Sequence, residues 1–108
     1  MSTAFVPEPM QIRAVLKGEV VEVRILIKHP MLSNLVWHAD TRVNPAHFIK
    51  TIQGTCNDRP VLYMHMSFSV SRDPYFSFSF KGGKRGDKIV ITWLDTEELT
   101  RTDSTLVI

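Results

Sequence analysis

Between Tyr75 and Phe80 the chain alternates without a break: Phe76, Phe78 and Phe80 fall on one side, Tyr75, Ser77 and Ser79 on the other. Successive side chains point to opposite faces only in a β-strand, whereas a helix would scatter these phenylalanines around its circumference, so the segment is a strand with one apolar face. The same period recurs elsewhere. Met10, Ile12, Ala14 and Leu16 alternate with Gln11, Arg13 and Lys17; Val21, Val23, Ile25 and Ile27 oppose Glu22, Arg24 and Lys28; Leu62, Met64, Met66, Phe68 and Val70 oppose Tyr63, His65, Ser67 and Ser69. Stretches at His47 to Cys56, Ile89 to Trp93 and Thr100 to Ile108 also read as extended, and turn signals separate the strands.

About seven strands with no amphipathic helix predict an all-β chain, a Greek-key β-sandwich of the immunoglobulin-like type, which takes ~100 residues. With 108 residues the chain is a single domain, residues 1–8 forming a loose arm. The two-residue turn after Lys17 predicts that the first two strands pair as a hairpin or lie side by side at one edge of the sandwich. The basic, glycine-rich run KGGKRGDK, from Lys81 to Lys88, reads as a hairpin turn between the PYFSFSF and IVITW strands. It lacks the spacing of a nucleotide-binding loop and leads into a strand, where a phosphate cradle would need a helix N-terminus.

A net charge of +2, with charged residues at 22%, leaves no basic run that would neutralise a row of phosphates, which argues against nucleic acid. The single cysteine, Cys56, cannot form an intramolecular disulfide or a multi-cysteine zinc site, and reads as a small strand-end residue. No apolar run of roughly 18 residues occurs, so no membrane span is expected. The start, MSTAFVPEPMQIR, lacks a basic stretch followed by an apolar one, which taken alone favours the cytoplasm.

Chemistry-bearing constellations are not evident. His29, His38, His47 and His65 form no ligand pair at helical or strand spacing, and no carboxylate accompanies them at a matching interval, so they read as surface or loop-anchoring residues. The serines and acids suggest no nucleophile–base arrangement. The expectation is therefore no catalytic residue, no cofactor and no metal. The irregular segment from Met31 to Ala46 is apolar without a period at Met31, Leu32, Leu35, Val36 and Trp37; such a loop either plugs the open end of a sandwich or docks a partner. Outward-facing Tyr63 and Tyr75 point towards an interface.

Six segments together resemble the Z-subunit family of the sulfur-oxidising (Sox) system: ILIKHPM from Ile25, PAHFI from Pro45, NDRPVL from Asn57, VSRDPYFSF from Val70, KGGKRGDKIVITWLD from Lys81 and RTD from Arg101. The resemblance implies a non-catalytic immunoglobulin-like subunit that pairs with a Y subunit and, with it, meets the other Sox enzymes. In that family the Y partner carries sulfur intermediates on the cysteine of a C-terminal Gly-Gly-Cys-Gly-Gly type arm; this chain ends TDSTLVI and has none. The family works in the periplasm, which reverses the reading of the leader, because the Z subunit is exported with a signal-bearing partner. On this basis His29, Pro30, Met31, Trp37, Pro45, His47, Asp73, Pro74 and Tyr75 are candidate interface or loop-shaping residues. The run from Leu32 to His38 departs from the family's Glu-Thr-Gly type turn and is more apolar. Alternatives from other classes are a self-contained homodimeric binding module and a small enzyme that activates Cys56 or a histidine pair.

Overall fold

The structure is a computed structural model that describes residues 5–31, 47–66 and 72–108. Among them are seven strands and no helix: β1 (Gln11–Lys17), β2 (Val20–Leu26), β3 (Ile49–Cys56), β4 (Arg59–His65), β5 (Tyr75–Lys81), β6 (Lys88–Asp95) and β7 (Thr100–Leu106). They form two antiparallel sheets, β1–β2–β5 and β4–β3–β6–β7, the expected immunoglobulin-like sandwich. The fourth strand lies beside β3 on the larger sheet, and β5 crosses back to β2.

The alternation seen in the sequence becomes the core. Val21, Val23 and Ile25 of one sheet and Ile52, Ile89, Ile91 and Trp93 of the other are fully buried. The β1–β2 turn has Gly18 at φ +64° in its first central position, as the type II′ hairpin requires. Asn57 and Asp58, both at positive φ, make the tight β3–β4 turn, and the following Pro60 is tolerated because β4 is an edge strand.

The basic glycine run is not a hairpin. β5 belongs to the three-stranded sheet and β6 to the four-stranded one, so residues 82–87 carry the chain between sheets. Asp87 organises this crossover: its carboxylate accepts from the Lys84 N–H (2.9 Å) and its carbonyl from the Val107 N–H (2.9 Å). Gly83 fits because a Cβ there would come within 2.6 Å of Val21 Cγ2 and 3.0 Å of the Phe80 ring.

One lateral side of the sandwich is closed. Past β7, Val107 bridges Ala14 in parallel, with Leu16 N–H donating to the Ile108 carbonyl and Ile108 N–H to the Ala14 carbonyl, both at 2.9 Å. Along the other side run the edges β4 and β5, linked where the Arg59 guanidinium donates to the Lys81 carbonyl (3.1 Å). Here the sequence reading needs correcting in degree. Leu62, Met64, Met66, Phe76, Phe78 and Phe80 turn inward as expected but remain half-buried against the core, because each lies on or next to an edge strand with no further strand beyond it among the described residues. Phe68 and Val70 lie outside the described residues.

Candidate functional site

β6 reads IVITWLD, and its period of two puts Ile89, Ile91, Trp93 and Asp95 on the same, inward face. An aspartate is thereby driven into the core, with none of its side chain exposed. A buried carboxylate must find donors. His29 Nε2 lies 3.0 Å and His47 Nε2 2.7 Å from Asp95 Oδ2, while the N–H groups of Glu97 and Leu99 both donate to Oδ1 at 2.9 Å. Burial pushes the Asp95 carboxyl up, but hydrogen bonds from the two histidines and the backbone outweigh it and hold the group below its ordinary range.

The protons in this cluster are fixed by geometry. Met31 N–H donates to His29 Nδ1 at 3.0 Å, which makes Nδ1 the acceptor and Nε2 the N–H that faces Asp95. His29 is therefore held as one neutral tautomer, and burial lowers its pKa against the opposing effect of Asp95. The segment is stapled further: His29 N–H donates to Asp73 Oδ1 (3.0 Å), Asp73 N–H returns to the His29 carbonyl (2.9 Å), and Ile27 N–H donates to the Pro74 carbonyl (2.9 Å). Ile49 N–H lies 3.4 Å from the Met31 sulfur. Met31 and Asp73 both sit in the left-handed region, at φ 49° and 53°, a cost of about 1–2 kcal/mol each that the surrounding bonds must offset. Phe5 caps the end of the sandwich, edge-on to both imidazoles, and His29 stands edge-on to Trp93.

Ligand atoms of His29, His47 and Asp95 lie within 4.8 Å of one another, close enough to raise a metal reading. The hydrogen bonds argue against it, because a metal needs the lone pair of His29 Nε2 and the Met31 bond to Nδ1 leaves a proton there. What the arrangement does instead is tie four chain segments, around residues 29, 47, 73 and 95, into one rigid end.

The histidines thus have the carboxylate companion that sequence spacing did not reveal. It comes from 66 residues further along in one case and 48 in the other. The available signal was the phase of Asp95 within IVITWLD. Of the candidate interface residues, His29, Met31, His47 and Pro74 are buried within this chain, where their side chains shape the end of the sandwich. Pro30 and Asp73 are half-buried, Tyr75 is 64% exposed, and Trp37 and Pro45 lie outside the described residues.

The one cysteine closes β3. Cys56 is 4% exposed, its thiol 3.6 Å from Asp87 Oδ2, and burial together with the neighbouring carboxylate pushes its pKa up.

The family described as sulphur oxidation protein SoxZ matches residues 10–105 of the 108. The chain belongs to the SoxZ family. Every residue of the buried histidine–aspartate lock, together with the crossover at Asp87, lies within the matched span. Membership makes this chain a component of the sulfur-oxidation (Sox) system and points to other Sox proteins as its partners. No curated protein matches it.

Proposed function

We propose that the chain is the non-catalytic half of a sulfur-carrier pair: it binds a Y subunit whose C-terminal arm cysteine holds the sulfur intermediates, and helps present that pair to the Sox enzymes. The observation that carries this reading is the state of its own thiol. A covalent sulfur carrier needs an accessible thiolate, whereas Cys56 is buried, faces a carboxylate and is held protonated. A Sox component with such a cysteine works with a thiol supplied by another chain.

The half-buried row Leu62, Met64, Met66, Phe76, Phe78 and Phe80 supports a permanent partner, because apolar area left along two sheet edges is what obligate interfaces cover. Tyr75 lies at the start of the same β5 edge. In this reading the pair acts in the periplasm, exported with the signal of the Y subunit.

The test is co-expression of this chain, tagged, with the Y-type protein of the same genome, followed by affinity capture, intact mass and fractionation. A stoichiometric pair in the periplasmic fraction, with sulfur adducts on the partner's arm cysteine and none on Cys56, is expected. Recovery of the chain alone, or as a homodimer, would replace the proposal with a self-contained binding module that pairs through its own edges.

A further inference from the structure

The outer face of the β1–β2–β5 sheet gathers cations. Strand register sets Arg13 directly opposite Arg24, and Lys17 in one row with Val20 and Lys81. Among the described residues, four cations thus share this face with a single carboxylate, Glu22, which takes both the Lys17 ammonium (3.1 Å) and the Arg24 Nε (3.0 Å). Arg13 has neither an ion pair nor a hydrogen-bonded side-chain partner among the described residues. Like charges directly across strands destabilise a sheet, so folding alone does not account for this pair. Two shallow depressions, of about 330 and 250 Å³, adjoin at the arginines; Val15 lines the first, and Leu26 and Tyr75 the second. Arginine and tyrosine beside half-buried aliphatic side chains is the composition of protein-binding patches.

We propose that this face docks an acidic protein surface in a short-lived, salt-sensitive encounter, distinct from the apolar flank along β4 and β5. Charge complementarity chooses the occupant. A largely unneutralised cationic patch steers an anionic partner and speeds association, whereas a permanent subunit is held by buried apolar area. The partner's identity rests on the carrier-pair reading, in which the pair meets several Sox enzymes in turn; the chemistry of the face does not.

The experiment compares the purified Y–Z pair with and without Arg13→Glu and Arg24→Glu, binding each Sox enzyme of the same organism at about 50 and about 300 mM salt. The wild-type pair should lose affinity as salt rises, and the double variant should bind at least one enzyme roughly tenfold or more weakly at low salt, with pair stoichiometry unchanged and cooperative melting retained. Unaltered binding to every enzyme would overturn the proposal. So would loss of the Y subunit itself from the variant, which assigns the face to the permanent interface, or saturation of the arginines by thiosulfate alone with enzyme binding intact, which makes it a small-anion site. If even the wild-type chain forms no pair, the carrier reading fails; the face is then probed on the isolated chain with a polyglutamate peptide, where binding abolished by the double variant supports the proposal and no binding sinks it.

Discussion

Asparagine in place of Asp95 changes one atom and breaks the symmetry of the lock. Both carboxylate oxygens now accept two hydrogen bonds each, from imidazoles on one side and backbone N–H groups on the other. Whichever way the amide turns, its NH2 meets a pair of donors. Asp95→Asn should therefore cost about 2–5 kcal/mol in denaturant unfolding, although it conserves volume. A loss below about 0.5 kcal/mol would mean that the donors find other partners. The lock also sets a pH dependence. The folded pKa of His29 is lowered from 6.5 and that of Asp95 from 3.8, so on acidification the unfolded chain takes up each proton first and stability falls. The His29 contribution is present above about 6.5 and fades as pH drops towards its folded value, with a limiting slope of about 1.4 kcal/mol per pH unit for one proton; that of Asp95 fades below the ordinary carboxylate range. His29→Gln, which keeps a donor near Nε2 and cannot titrate, should lower stability at pH near 7 yet flatten its decline towards about pH 5. An equal slope in both proteins would remove His29 from the account. None of this was legible from histidine spacing, because the partners meet through the sandwich and not along the chain, but an acidic residue in phase with Ile89, Ile91 and Trp93 was visible in the sequence.

Strands β1, β2, β4 and β5 were legible because each carries its own period, and the first hairpin because Gly18 states its turn chemistry locally; β3, whose ladder shifts register between Gly54 and Thr55, has no such period. The β5–β6 connection was misjudged for a physical reason: a short polar linker rich in glycine serves either a hairpin or a step between sheets, and only the packing of β5 on β2 decides. Glycine substitutions separate the roles within that linker. At Gly83 a Cβ would press on Val21, which is fully buried and stiff at χ1, so Gly83→Ala should destabilise by about 1–3 kcal/mol. Gly86 has open space around it, and the cost of alanine there comes only from its φ of +90°, which makes about 1 kcal/mol the expected loss. Melting curves of the two variants compare them directly. If Gly86→Ala proved the more damaging, the crossover would be limited by backbone conformation and not by the close approach of β2.

At the scale of the whole molecule the two lateral sides of the sandwich have different fates. Val107 and Ile108 seal one against β1; the other ends in two edge strands backed by half-buried methionine, leucine and phenylalanine. The sequence pattern marked these residues as core, since period alone cannot say whether a neighbouring strand exists to finish their burial. If a Y subunit finishes it, Met64 gains more from the partner than from its own domain. Met64→Ser should then lower the stability of the isolated chain by only about 1 kcal/mol, as expected for a half-buried apolar side chain, while weakening the pair by about 2 kcal/mol or more, roughly thirtyfold in dissociation constant. Measuring the melting temperature of the free chain and the affinity of the pair on the same variant separates the cases. A large fall in melting temperature with unchanged affinity would assign Met64 to the domain's own core and move the permanent interface elsewhere, the outer face at Arg13 and Arg24 being next to be tested, since that surface and the β4–β5 flank meet along β5.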